Sequence, residues 1–140
     1  MIGDHSLLTY RQEVRPEDRQ WVADVVAATG FFSREELEIA VELVEEHLAK
    51  GFASGYFFLF AEIDGSAVGY ACYGPIAGTL ASYDFYWLAV HPDCQGRGIG
   101  KGILNKMENL ISAKGGRKIY LDTSSRAQYE PTRKFYESRD

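Results

Sequence analysis

Cysteine is scarce in this 140-residue chain: only Cys72 and Cys94 occur. Two thiols close at most one disulfide, which excludes a disulfide-stapled scaffold and suits free thiols in a reducing compartment. Long apolar runs are missing too. No stretch approaches the roughly 18 apolar residues of a membrane span. Met1 to Tyr10 has no basic region leading into an apolar core, so no secretory leader is expected. The expected setting is therefore the cytoplasm, with no membrane partner. Positive charge is also short: Lys and Arg number 15 against 20 Asp and Glu, a net charge of -5. That lacks the basic surplus of a nucleic-acid binder, so no nucleic-acid partner is expected. Linkers, internal repeats and low-complexity tracts are absent, and residues 1–140 read as one domain.

What the chain does have is apolar and aromatic mass. It is 46% hydrophobic, with nine Tyr, eight Phe and two Trp. That suffices to pack a core and still line a pocket. Leu7 to Val14 reads as a short strand, broken at Arg15-Pro16. Asp18 is placed to cap a helix carrying Trp21, Val22, Val25 and Val26 at helical spacing, and Gly30 ends it. Ser33 with Glu36 forms a capping box for a second helix. Its expected apolar stripe is Leu37, Val41, Val44 and Leu48, closed by Lys50-Gly51.

Tyr56 to Ile63 and Ala67 to Tyr73 read as strands paired across an Asp64-Gly65 hairpin. Gly74-Pro75 is expected to break the second of them, leaving a loop to Ala81. Tyr83 to Val90 is the strongest strand pattern, ended by His91-Pro92-Asp93. Gly98 to Lys114 reads as a helix with Ile99, Ile103, Met107 and Leu110 on one face. Lys118 to Thr123 is a further strand. Pro131 opens a last helix bearing Phe135 and Tyr136. The order β-α-α-β-β-β-α-β-α predicts an α+β (mixed α/β) domain with a central mixed sheet.

The chemistry concentrates at Gln95-Gly96-Arg97-Gly98-Ile99-Gly100. Glycines at 96, 98 and 100 stand between a strand and a helix. They permit positive φ and close approach of a ligand to the backbone. The helix start adds N–H groups without intrahelical acceptors and a partial positive charge, so the segment suits an anion such as a phosphate. Arg97 and Lys101 add full charges. An ordinary glycine-rich turn with solvated basic residues is the competing reading. Two other phosphate motifs fail on spacing. A P-loop needs glycine where Gln95 stands and Ser or Thr where Gly102 stands. The dinucleotide fingerprint needs a third glycine where Lys101 stands. Asp122 does close the following strand as that fingerprint asks, but only 18 residues follow it.

Ala89-Val90-His91-Pro92-Asp93-Cys94-Gln95-Gly96-Arg97-Gly98-Ile99-Gly100 resembles the acyl-CoA signature of the GNAT superfamily of N-acetyltransferases, V-x-P-x-x-Q-G-x-G-[IV]-[GA]. Pro131-Thr132-Arg133-Lys134-Phe135-Tyr136-Glu137 resembles the family's A-x-x-F-Y-E helix. With the element order, the resemblance covers almost the whole chain. It implies that Gln95, Gly96, Arg97, Gly98, Ile99 and Gly100, with Lys101 beside them, bind the pyrophosphate of acetyl-CoA. It also implies that the backbone of Leu88, Ala89 and Val90 pairs with the pantetheine arm like an added strand. No metal is expected.

The implied reaction is acetyl transfer to a primary amine of a small molecule or a protein, by direct attack in a ternary complex. An alkylamine with a pKa near 10.4 is mostly protonated at pH 7, and freeing it costs roughly 4–5 kcal/mol. A general base is therefore useful. Aligning the glycine turns without gaps sets Asp84 where histone acetyltransferases of the superfamily carry a glutamate base. Tyr86, two residues on, points to the same side and is expected to line the acceptor pocket. Glu62 and His91 are weaker alternatives, and Glu62 is also expected to contact the acceptor. Tyr136 matches the family's tyrosine that protonates the leaving thiolate, and a backbone N–H near Val90 is the candidate donor to the attacked carbonyl.

Two positions depart from the family pattern. Many relatives carry an Asn, contacting the coenzyme, where Tyr129 stands seven residues before Tyr136. Relatives also continue with a glycine, an aromatic residue and two strands where this sequence reaches Asp140. That leaves three readings: an acceptor pocket open on one side, a homodimer completing the sheet edge, or a truncated copy. The rival function is a non-catalytic acyl-CoA-binding or regulatory module. The acidic helix residues Glu35, Glu36, Glu38, Glu42, Glu45 and Glu46 either attract a cationic amine or form a solvated face.

Overall fold

The computed structural model describes residues 8–30, 32–75, 82–116 and 118–121, the last segment by its backbone. Five strands form one sheet in chain order: β1 (Leu8–Arg11), β2 (Phe57–Ile63), β3 (Ser66–Pro75), β4 (Ser82–Val90) and β5 (Lys118–Leu121). The first four are antiparallel neighbours, and β5 joins β4 in parallel. The parallel step needs a crossover, which α3 (Ile99–Ala113) supplies. Helices α1 (Asp18–Thr29) and α2 (Arg34–Lys50), with two short 3-10 turns at Gly51–Ser54 and Pro92–Cys94, complete the described elements. The expected α+β architecture holds. The expected last helix, with Tyr129 and Tyr136, lies outside the described residues.

Two apolar clusters form, one on each face of the sheet. Leu59, Ala61, Ala71, Tyr73, Phe85 and Val90 pack against Ile99, Ile103, Leu104, Met107 and Ile111 of α3. On the other face Phe58, Phe60, Tyr70, Cys72 and Ala89 meet Val22, Val25 and Val26 of α1 with Ala40 and Val44 of α2. Phe58, Phe60 and Tyr70 are all fully buried and stack with centroids 5.7–6.2 Å apart. Burying each such ring stabilises the fold by about 1.5–3 kcal/mol. The Asp64-Gly65 turn has φ of 55° and 83°, the left-handed pair a two-residue hairpin requires.

Several expected details differ. Strand β1 stops at Arg11 rather than Val14. The reason is Arg11 itself, whose guanidinium bonds the Glu62 carboxylate at 2.7 Å, Asp18 at 2.7 and 2.9 Å, and the Glu13 carbonyl at 2.6 Å. Asp18 does not cap α1. It is the first helical residue, and its carboxylate accepts the Arg15 N–H and the Arg11 guanidinium instead. The α2 stripe is rotated: Ala40, Val44 and His47 are buried, while Leu48 is exposed. The His47 imidazole turns inward because its Nδ1–H donates to the Tyr56 carbonyl at 2.6 Å. Gly74-Pro75 does not break β3. Both residues pair with β4, at Asp84 and Tyr83. The Ser33–Glu36 capping box forms as expected, with both reciprocal bonds present.

Candidate functional site

Strand β4 runs down the middle of the site. Its pairing with β3 passes from Cys72–Trp87 to Tyr73–Phe85, so Tyr86 is an extra residue, a β-bulge. The bulge resets the alternation of the strand. Phe85 and Leu88 face α3, while the consecutive Tyr86 and Trp87 both face α1 and α2. Tyr86 reaches Tyr56 edge-on at 5.6 Å, and Trp87 reaches Phe32 edge-on at 6.0 Å. The Trp87 indole N–H donates to the Tyr70 hydroxyl at 2.8 Å.

Asp84 lies half-buried on β4, opposite Gly74 and Tyr120. It shares a side with Tyr86. Burial, and then the negative charge of Asp84, push the Tyr86 phenol up to about 12. Glu62 is elsewhere: it pairs with Ala67 at the opposite end of the sheet, clamped by Arg11. Its role there is to neutralise a guanidinium stacked 4.5 Å from the Phe60 ring centroid. His91 caps the single turn Pro92–Cys94, its Nδ1 accepting the Asp93 N–H at 3.1 Å.

On the other side of β4, pairing with β5 covers Ser82–Phe85 against Lys118–Leu121. Residues 86–90 have no strand partner on that side among the described residues. An extended amide-bearing ligand could add to this edge as a further strand. The strand then enters the glycine turn. Gly96 and Gly98 have φ of 84° and 77°, and Gly98 is the N-cap of α3. Both positions are open: a Cβ at either would meet no atom within 4 Å. The N-cap offers no side-chain acceptor, and the first turn of α3 holds no acidic residue. The Gln95 amide donates to the Val90 carbonyl at 3.2 Å, fastening the turn to the strand.

Gly100 differs from the other two. It lies within α3, and a Cβ there would rest 3.5 Å from Leu88. Gly69 on β3 is bare where Ile103 descends, 3.2 Å from where its Cβ would be. Ile99 is buried under the turn, while Arg97 and Lys101 are exposed beside it. Gln95 to Lys101 and Leu88 to Val90 are thus contiguous, with Asp84 and Tyr86 further back along the same strand. The bulge that doubles the aromatic side chains at 86 and 87 has no sequence signal, so Trp87, Tyr56 and Phe32 escape a reading by alternation.

A strand that opens into a glycine cradle at a helix start defines an anion-binding turn. The sequence profile of the acetyltransferase (GNAT) family matches residues 15–139, and the chain belongs to that family. A solved structure from Desulfovibrio desulfuricans, assigned to the GNAT acetyltransferases, is 45% identical. It superposes with a TM-score of 0.87 over 94% of this chain and 82% of its own. The PaiA N-acetyltransferase of Thermoplasma acidophilum, solved with coenzyme A, shares the fold at 21% identity. Its TM-score is 0.72, over 94% of this chain and 87% of its own. An acetyltransferase of Pectobacterium atrosepticum is 41% identical over 64 residues, which are 46% of this chain and 43% of that relative. The matched stretch thus spans less than half of that relative's length. Among the described residues, no helix is long and apolar enough to cross a membrane.

Proposed function

We propose that the chain, as a single domain, transfers the acetyl group of acetyl-CoA to a primary amine by direct attack in a ternary complex. The observation that carries this reading is the open cradle at Gly96 and Gly98, set at the start of α3 and joined to the edge of β4 that has no strand partner among the described residues. The residues fit the donor. Backbone N–H groups from Gln95 to Gly100 would receive the pyrophosphate, with Arg97 and Lys101 adding charge. Leu88 to Val90 would hold the pantetheine arm by backbone pairing. Acetyl-CoA would supply the activated acyl carbonyl, and an N–H near Val90 would stabilise charge on its oxygen.

Asp84 takes the amine's proton in this reading, through water because its side chain is short. Tyr86 lines the acceptor pocket. Tyr136, outside the described residues, donates a proton to the leaving thiolate. The acceptor is a small-molecule or protein amine. Calorimetry with acetyl-CoA, then thiol release with a panel of amines, tests the reading. Tight binding without amine-dependent release would leave a binding module and sink the transferase reading. Unchanged turnover in Tyr136→Phe would remove that residue's role as acid.

A further inference from the structure

Glycine is a poor helix former, yet Gly102 sits inside α3. Its φ lies outside the left-handed region, so backbone conformation does not require it. The reason is a neighbour: a Cβ at 102 would lie 2.6 Å from the Tyr10 hydroxyl, and the next atom is the Tyr10 Cζ at 3.9 Å. Tyr10 comes from β1, the strand furthest from β5 in the sheet. Its backbone is held by pairing with Ala61, and its ring packs against the cluster beneath α3. These contacts hold the ring against the sheet.

Gly102 connects directly to the cradle. Its N–H donates to the Gly98 carbonyl at 3.0 Å, closing the first turn of α3 on the left-handed Gly98. Whatever sets the height of Gly102 above the sheet also sets the height of Gly98. We propose that Tyr10 is a positioning residue for the coenzyme site. Its hydroxyl, seated in the space Gly102 leaves, holds the first turn of α3 at the depth at which the turn receives a pyrophosphate. The proposal rests on the coenzyme reading above.

The experiment compares wild type, Gly102→Ala, Tyr10→Phe and the double variant by calorimetry with acetyl-CoA, without acceptor. Gly102→Ala raises Kd by about tenfold, the scale of the penalty for forcing an extra methyl group into a packed contact. Its KM for acetyl-CoA rises with kcat held, a split that a general loss of folding would not produce. Tyr10→Phe, which removes the hydroxyl on which the turn rests, also raises Kd, and a Tyr10→Phe protein that binds like wild type overturns the proposal. The double variant restores wild-type Kd, because the methyl group added by Gly102→Ala fills the space that the missing Tyr10 hydroxyl leaves. A Gly102→Ala protein that binds normally would show that Tyr10 yields, and overturns the proposal. A double variant that stays weak overturns it as well. If Gly102→Ala does not fold, Tyr10→Phe and the double variant decide, and the double variant must fold and bind like wild type. Wild type failing to bind acetyl-CoA would instead remove the coenzyme reading, and this proposal with it.

Discussion

The Gln95 side-chain amide donates to the Val90 carbonyl at 3.2 Å, so the glycine turn is tied back to the strand it leaves. A hydrogen bond of this kind contributes about 1 kcal/mol, roughly a fivefold effect on an equilibrium it supports. Gln95→Leu is expected to weaken acetyl-CoA binding by about that factor. Gln95→Glu is expected to weaken it further, because a carboxylate would face both a carbonyl oxygen and the incoming phosphates. Calorimetric Kd values rank the two.

Gly98 tests the cradle directly. At φ 77° an L-residue with a Cβ is strained by about 1–2 kcal/mol, although nothing lies within 4 Å to clash with it. Gly98→Ala is therefore expected to lower the melting temperature and weaken acetyl-CoA binding together. The Gly65 site, in the β2–β3 hairpin and outside the cradle, has a similar φ of 83°. Gly65→Ala should cost comparable stability and leave Kd unchanged. Equal effects on Kd from both variants would count against the cradle.

Asp84 and Tyr86 are linked through charge, which gives Asp84→Asn two readouts. Removing the carboxylate is expected to lower kcat/KM at least 100-fold and to abolish the low-pH limb of the rate profile, as loss of a general base does. It should also lower the Tyr86 pKa from about 12, although burial, the larger cause, keeps it above the ordinary value of 10. Phenolate absorbance during alkaline titration reads the second effect. A lowered phenol pKa with unchanged kinetics would leave Asp84 as a neighbour and not a base.

Alkaline stability follows from the same shifts. Burial pushes both Tyr73 and Tyr86 to about 12, with Tyr83 adding to the first and Asp84 to the second. Unfolded chains ionise these phenols near 10, whereas folded chains keep them neutral. The unfolded state therefore binds fewer protons between pH 10 and 12, and stability falls as pH rises through that window. The stabilising contribution is fully present below pH 10. Chemical denaturation at a series of pH values should show the decline, shallower in Tyr86→Phe.

Arg11 is expected to matter for stability and not for turnover. It stands between Asp18 and Glu62 with these side chains 10%, 4% and 13% exposed. Burial opposes its charge, and hydrogen bonds to the two carboxylates overcome that and raise its pKa. Arg11→Ala would strand two buried carboxylates at a cost of about 3–5 kcal/mol. Glu62→Gln should cost less and leave amine-dependent turnover intact at temperatures where the protein is folded. Lost turnover in a folded Glu62→Gln protein would return Glu62 to the acceptor site.

Local signals are legible wherever a few consecutive residues determine the outcome. Ser33 with Glu36 specifies a capping box, Asp64-Gly65 specifies a left-handed hairpin turn, and Gly96 with Gly98 specifies positive φ at a helix start. Each depends on backbone sterics and hydrogen bonds within a few residues, so these turns, and through the glycine-turn signature the family, are legible in the sequence. Long-range competition is not. Arg11 ends β1, takes Asp18 from capping and holds Glu62 away from the site, through partners 7 and 51 residues distant. The bulge at Tyr86 exists because β3 and β4 fall out of step, which neither strand's own pattern reveals. Gly102 makes sense only beside Tyr10, 92 positions earlier in the chain and brought there by the packing of α3 on the sheet. The sequence by itself determined the chemistry at the turn, because that chemistry is local. Only the tertiary structure decided which side chains share the site, because close packing brings together groups that are remote in the chain.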